Sequence, residues 1–310
     1  TACNRHKQSF TKVRIYLMKR VFEYNITDMD SGLSLGSFLR SKGFSRHILT
    51  RLKGTPNSIC LNGTPAFTNQ MLSPGDLVTI VLVEQDTSLT IRPVPMSLSI
   101  LYEDEDLIII DKPADTPIHP SFDNHENTLA NGVAWHFSSQ GIPFVYRCIN
   151  RLDRDTTGLL IIAKHMLSAA ILSKMVSNRE IHREYLAIVS GIPPLDGIIN
   201  APIARKEGAL LERCVDFRKG DSAVTHYHRI SSKDNYSLVS LKLETGRTHQ
   251  IRVHMKYLGF PILGDFLYYP DTERMQRQAL HSHCLEFSHP ITGKELCFTA
   301  PLPSDMAWIL

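Results

Sequence analysis

Asn150 to Lys164 reads NRLDRDTTGLLIIAK and sets two carboxylates, Asp153 and Asp155, among two guanidinium groups, Arg151 and Arg154. An ionised carboxylate has three chemical uses: it attacks carbon as a nucleophile, stabilises developing positive charge, or takes a proton. A nearby arginine keeps such an acid ionised when a closed site strips its water. The competing reading is structural, since Asp and Thr build turns without any chemistry. Against it stand the two arginines and Gly158, which ends the turn where an apolar run begins. A second dense stretch, LETGRTHQIRVHMKYLGFPILGD, supplies His249, Arg252, His254 and Lys256. The histidines are acid–base groups or metal ligands by type. No third ligand stands at a fitting spacing, so hydrogen-bonding histidines are the expectation. Between the two stretches, REYLAIVSG places Tyr185 near the start of a strand.

These residues need elements to hold them. Thr245 is placed to cap a helix starting near Gly246 or Arg247 and ending at Gly259, with Ile251, Met255 and Leu258 on its inner face. NTLANGVAWHF and MLSAAILSKMV read as helices. ILYEDEDLIIIDKP reads as two strands around an acidic turn, and REYLAIVSG, VTHYHRI and YSLVSLKLE read as strands. In the last, Val239, Leu241 and Leu243 alternate with Ser240, Lys242 and Glu244, the pattern of one buried and one wet face. Many strands with few helices predict an α+β fold built on a mixed, largely antiparallel sheet rather than βαβ repeats. HSHC (His281, His283, Cys284) is read as strand, not metal site, for want of a partner pair at matching spacing.

In front lies a smaller unit. Leu35, Phe38 and Leu39 share one helical face; Ser45 caps a second helix whose Ile48, Leu49 and Leu52 point inward. SICLNGTPA is strand and turn, with Asn62-Gly63 as the turn pair, and LSPGDLVTIVLV is turn then strand. The polar faces of the two helices carry Arg40, Lys42, Arg46, His47, Arg51 and Lys53, with no acid from Arg40 to Lys53. Such a run is either a solvated surface or a phosphate-binding face, and the missing acids favour phosphate. Residues 18–85 form this unit, 86–99 a polar, Pro-containing linker, and 100–310 the larger domain. Met18 is read as a natural start behind a 17-residue extension, or that extension is an ordinary basic arm.

The chain of 310 residues has room for one large and one small domain. Net charge is only +3, so a nucleic-acid partner must be argued from local clusters. Six scattered cysteines without a C-x-x-C pair imply reduced thiols in a cytoplasmic protein. No apolar run reaches the roughly 18 residues of a membrane span, and no signal peptide is evident.

Two resemblances bear on the acids. Asp153 to Thr157 fits D-x-D-x-T, the signature of haloacid-dehalogenase-like phosphatases, but that motif needs an apolar strand before it. Here RCINRL precedes and the apolar run follows, so phosphoryl transfer is set aside. The other covers nearly everything beyond residue 100. NRLDRDTTGL, GRTHQIRVH, DKPADTPIHP and LHSHCLEFSHPITGKELCFTAPLP together resemble the pseudouridine synthases of the large-subunit rRNA type, the RluA family. The departures are Asn150 where histidine is usual, Thr157 where serine is common, and Asp115 for glycine. The front unit resembles the alpha-L RNA-binding motif.

The resemblance implies an RNA-uridine isomerase, needing no cofactor or metal, with rRNA or tRNA as partner, no membrane, and a monomeric state. It makes Asp153 the catalytic carboxylate in one of the three roles above, Arg252 its basic partner, and Tyr185 the ring that stacks on uracil. Arg151 is a candidate to fill the space of a flipped nucleotide, with loop packing or phosphate contact as the alternative. Asp155 is assigned to the turn. His119 matches a position near the cleft, its role open. The different-class alternative is a non-catalytic RNA-binding protein of the same fold.

Overall fold

The computed structural model describes residues 18–84, 86–88, 90–121, 124–271 and 273–310. Expectations for residues 1–17 lie outside the described residues. The front unit consists of β1 (Met18–Asn25), α1 (Leu35–Ser41), α2 (Arg46–Lys53), β2 (Ile59–Leu61), β3 (Thr64–Pro65) and β4 (Leu77–Glu84). Its sheet has the order β1-β4-β2-β3. Ser34 and Ser45 start the two helices by accepting the N–H groups of Ser37 (3.2 Å) and Ile48 (3.3 Å), satisfying donors a helix start leaves open. Asn62 and Gly63 both have positive φ (51° and 78°), so they turn β2 tightly into β3. The inward apolar face of both helices packs on Val78, Ile80 and Leu82 of β4.

The larger unit contains β5 (Ser99–Glu103), β6 (Leu107–Lys112), α3 (Leu129–Ser138), β7 (Thr157–Ala163), α4 (Met166–Ser177), β8 (His182–Ser190), β9 (Asp196–Asn200), β10 (Ile203–Arg205), β11 (Arg213–Val215), β12 (Val224–Lys233), β13 (Tyr236–Leu243), α5 (Gln250–Tyr257), β14 (Leu280–Ser288) and β15 (Glu295–Thr299). One sheet runs β5-β6-β7-β14-β8-β13-β12-β9, with β15 also on β14; β10 and β11 pair apart. Among the described residues only β7–β14 of that sheet is parallel, through two residue pairs. The fold is therefore α+β on a mixed, mostly antiparallel sheet, as its sequence predicts. Leu107–Ile110 of β6 and Leu159–Ala163 of β7 are continuously apolar because both faces of these strands are covered. Ile108, Ile110, Leu160 and Ile162 meet Leu129 and Val133 of α3, while Ile109, Leu159 and Ile161 meet Leu172 and Met175 of α4. Each such side chain contributes roughly 1.5–3 kcal/mol by leaving water. Among the described residues no helix is long and apolar enough to cross a membrane.

One sequence expectation changes here. The alternation in β13 fails at Ser240, which is buried and donates to Glu184 Oε1 (2.6 Å); the strand lies between β8 and β12, and its polar residue is satisfied inside the sheet. The segment after residue 85 bonds to the larger unit. Ser88 N–H donates to Phe144 O, Tyr146 N–H to Ser88 Oγ, and Asn131 of α3 to Arg92 O. The two units also share a seam. Leu167 of α4 belongs to the front unit's apolar cluster. Glu84 binds Arg147 (2.7 Å) and the Met166 N–H (2.5 Å). Asp106 takes Arg20 and, at 2.8 Å, His165; the His165 Nδ1 accepts the Ser168 N–H, so its Nε2 carries the proton to Asp106. Asp104 and His289 close the same cluster at 2.8 Å. Burial alone would raise the Asp106 pKa; His165 and Arg20 outweigh it and hold the carboxyl well below the usual carboxylate range.

Candidate active site

The loop carrying Asp153 is held from below by its own backbone and from the side by residues distant in sequence. Thr156 N–H closes the turn on Asp153 O (3.1 Å). Lys112, fully buried at the end of β6, donates to Pro113 O and Arg154 O (both 2.7 Å). Burial lowers its pKa to about 7. Arg277 Nη1 donates to Asp155 O (3.2 Å) and Gln278 Nε2 to Thr156 Oγ1 (3.2 Å). Then comes Gly158, with φ of 106°, where a Cβ would stand 2.2 Å from Ser282 O of β14. Only glycine lets β7 and β14 approach so closely. The turn is thus closed by backbone groups rather than by the Asp155 carboxylate, which lies 4.0 Å from Arg154.

The sequence departures have local explanations. Asn150 is buried and works like a piece of strand: its Oδ1 accepts Ile161 N–H (2.9 Å) and its Nδ2 donates to Leu159 O (3.2 Å). Thr157 Oγ1 meets His281 Nδ1 at 2.9 Å. Asp115 has φ of 52°, which glycine adopts freely and Asp tolerates; its carboxylate pairs with Arg154.

Asp153 Oδ2 accepts from Arg252 Nη1 at 2.7 Å. Arg252 is buried, and its other edge is held by Asp265 through two parallel bonds, Nε to Oδ2 (2.7 Å) and Nη2 to Oδ1 (2.8 Å). Burial alone would lower its pKa; the two carboxylates outweigh that and hold it above the ordinary guanidinium value. Asp265 is itself buried and accepts the N–H groups of Leu267 (3.1 Å) and Tyr268 (3.2 Å). The guanidinium also lies 5.0 Å over the Tyr268 ring. Sequence reasoning did not assign Asp265 or Tyr268; the GD pair closing the second stretch was the available signal.

His249 corrects a further expectation. α5 starts at Gln250, not near Gly246, with His249 as N-cap in the left-handed region (φ 58°, ψ 20°). Thr245 does not cap: its hydroxyl donates to Gln250 Oε1 (2.8 Å) and accepts Val224 N–H (3.0 Å). The left-handed residue swings the chain so that the helix cannot extend backward, and such a conformation costs of order 1–3 kcal/mol. Tyr268 hydroxyl accepts Arg213 N–H (2.8 Å), which leaves its hydrogen for His249 Nδ1 (2.9 Å). The His249 Nε2–H then faces Asp153 Oδ2 at 3.8 Å. Burial lowers the His249 pKa, with Asp153 opposing, which favours the neutral ring. His254, by contrast, is buried between Thr225 Oγ1 and Ala201 O, as expected of a hydrogen-bonding histidine.

Asp153, Arg252, Tyr185, His249 and Arg151 line one cleft of about 600 Å³. Tyr185 is buried on β8, and burial raises its pKa. Arg151 is exposed at the mouth. Three arginines that sequence reasoning left unassigned, Arg179, Arg183 and Arg247, also line it. His119 is exposed and packs edge-on against Tyr146, 5.1 Å between rings. Arg40, Lys42, Arg46 and Lys53 are exposed on the front unit, but Arg51 is partly spent on Asp86 (2.6 Å). Among the described residues, neither grouping of side chains able to hold an ion includes Asp153.

The sequence profile described as RNA pseudouridylate synthase matches residues 106–257. The "Uncharacterized RNA pseudouridine synthase YjbO" of Bacillus subtilis strain 168 is 39% identical over 269 residues, covering 86% of this chain and 95% of that protein. "Ribosomal large subunit pseudouridine synthase D" of Nitrosomonas europaea is 34% identical over 303 residues, 94% of this chain and 88% of that one. The solved structure "Human RNA Pseudouridylate Synthase Domain Containing 1" superposes with a TM-score of 0.57 at 27% identity, over 69% of this chain and 89% of that chain. An isomerase fold, a cleft centred on one arginine-held carboxylate and relatives of nearly full length agree: the chain belongs to the RNA pseudouridine synthase family.

Proposed function

We propose that this enzyme isomerises specific uridines of structured RNA, rRNA or tRNA, through Asp153. The observation that carries the assignment is the Arg252 bridge: one buried guanidinium binds Asp153 on one side and Asp265 on the other. The relatives named for the ribosomal large subunit support rRNA as the substrate.

The chemistry follows from charge. Uridine becomes pseudouridine when its glycosidic bond breaks, uracil turns, and carbon 5 rejoins the anomeric carbon. Bond breaking builds positive charge on the sugar, as in glycoside hydrolysis. Carbon 5 gives up its proton to solvent and nitrogen 1 takes one in return; nothing is oxidised or reduced, so the reaction calls for no cofactor. Asp153 acts on the sugar, either bonding to it, stabilising its charge, or removing a sugar proton. Arg252 holds the carboxylate ionised and aimed, and Asp265 fixes Arg252. Tyr185 stacks on the uracil. Arg151 enters the space left by the flipped nucleotide, and Arg179, Arg183 and Arg247 receive phosphates. The front unit adds RNA contacts through Arg40, Lys42, Arg46 and Lys53, with Arg51 weaker because of Asp86. The enzyme acts as a monomer in the cytoplasm.

The test has two arms. Pseudouridine maps of cells with and without the protein identify the site, and release of tritium from carbon 5 of labelled uridine by purified protein shows direct action. One site disappears with the protein, and the corresponding transcript releases tritium. If no site changes and no rRNA or tRNA transcript releases tritium, the protein is a non-catalytic RNA binder of this fold.

A further inference from the structure

Cys284, Glu286 and Cys297 stand together on the β14–β15 hairpin, none of them lining the cleft. Pairing puts Glu286 opposite Cys297 and Cys284 opposite Thr299. Leu285 and Phe287 turn into the core beside α4, which sends Cys284 and Glu286 to the other face. Cys297 and Glu286 are exposed and Cys284 is half-buried.

The three ligand atoms lie within 4.8 Å of one another, and each thiol sulfur is 3.8 Å from Glu286 Oε1. A tetrahedral zinc ion has Zn–S of about 2.3 Å and Zn–O of about 2.0–2.2 Å, so its S···O edge is about 3.5–3.7 Å. The observed separations are within a few tenths of that edge. A disulfide fits less well. The two cysteines are diagonal neighbours, whose Cα atoms stand about 7–8 Å apart, beyond the usual reach of a disulfide. Two S–H donors sharing one carboxylate oxygen are a weak arrangement by themselves. The surroundings are negative as well: Glu184 on β8 lies opposite Cys284. A divalent cation would take the place of the two thiol protons, which pass to solvent, and offset the charge of the carboxylates.

We propose that Cys284, Glu286 and Cys297 bind one thiophilic divalent cation of the zinc class, with water as the fourth ligand, and that this ion staples β14 to β15. Scattered spacing in sequence hid the set, because it is the register of two strands that assembles it. Since β14 begins at Leu280, beside the catalytic loop, the staple secures a strand the cleft leans on.

Cobalt and zinc test the site on reduced, full-length protein stripped with a chelator. One equivalent of Co²⁺ develops tetrahedral thiolate–cobalt absorption, Zn²⁺ displaces it, and melting temperature rises with Zn²⁺. Cys284→Ser and Cys297→Ser each lose the absorption, and Glu286→Gln weakens Zn²⁺ by at least about tenfold. Cys60→Ser and Cys214→Ser keep it. Tritium release by the variants stays at the wild-type level, so the outcome is independent of the reading of the cleft. Cys297, being exposed, gives a variant expected to fold even if Cys284→Ser does not. Absence of the absorption in wild type, or its persistence in Cys297→Ser, overturns the proposal.

Discussion

Arg252 and Arg46 carry the same guanidinium and are held in opposite ways. Arg252 is buried, bound on both edges by carboxylates and covered by an aromatic ring. Arg46 stands exposed on α2 among other cations of the front unit. Aiming a carboxylate at one atom requires a fixed partner, because a misplacement of one ångström costs catalysis dearly. Attracting a phosphate backbone requires only charge in the right region, and mobile side chains serve it well. Removing a partner from the first arrangement leaves a buried charge alone, at about 3–5 kcal/mol. Removing a charge from the second changes affinity modestly and in a salt-dependent way.

Substitutions can break or sharpen that contrast. The largest effect is expected at Asp153→Asn, where tritium release falls at least about a thousandfold while filter binding shows RNA affinity nearly unchanged. Asp155→Asn retains most activity, since backbone groups close that turn. Comparable release by Asp153→Asn and wild type would remove the cleft from consideration.

Next is Asp265→Asn. It leaves Arg252 half-held, so kcat drops by roughly 10–100-fold with KM little changed, and chemical denaturation shows a loss approaching about 3 kcal/mol. A fully active variant would mean that Arg252 needs no anchor. Smaller again is Tyr185. Tyr185→Ala loses stacking worth about 1–3 kcal/mol, whereas Tyr185→Phe retains binding and loses only what the hydroxyl does. Equal behaviour of Ala and Phe in binding and turnover would place the ring outside the reaction.

On the exposed side, replacing Arg40, Arg46 and Lys53 with Gln is expected to make RNA binding less sensitive to salt. The slope of log affinity against log salt falls by up to about 0.9 for each phosphate no longer neutralised. Turnover at saturating RNA stays the same. An unchanged slope would show a merely solvated face. The last effect is on stability rather than turnover and concerns Lys112. Burial lowers its pKa to about 7 from an ordinary 10.5. Across that window the unfolded chain holds a proton that the folded chain has released, so stability rises with pH. Denaturation midpoints of wild type should climb from pH 7 toward 10 more steeply than those of Lys112→Met. Parallel curves would mean that the ammonium stays charged in place.

What the sequence revealed and what it concealed divide along the range of the interactions. Ser45, Asn62-Gly63 and the spacing of Leu35, Phe38 and Leu39 act within a few residues, and the elements they specify are present. The motif around Asp153 named its loop and the motif around Arg252 its partner. Asp265 lies 13 positions beyond Arg252, past the helix, and nothing in local pattern says that the chain folds back to grip the guanidinium. Thr245 looked like a cap because capping chemistry is local, but the left-handed turn at His249 depends on contacts with Tyr268. Nothing in the local pattern marks Lys112 as buried, since the loop that covers it comes 42 positions later. The shared seam between the units was equally hidden, since Leu167 and Asp106 meet the front unit only through tertiary packing.

The grip on the Asp153 loop comes from far along the chain. Arg277 reaches Asp155 O and Gln278 reaches Thr156 across 122 positions, and Ser282 of β14 lies against Gly158. Contacts of such separation form late, because the long intervening loop must close first. During synthesis, Asp153 and Tyr185 leave the ribosome well before β14 does. On the proposed roles, a nascent chain presents its basic front unit to RNA while the Asp153 carboxylate is still unaligned, and competence waits until the last strands have docked.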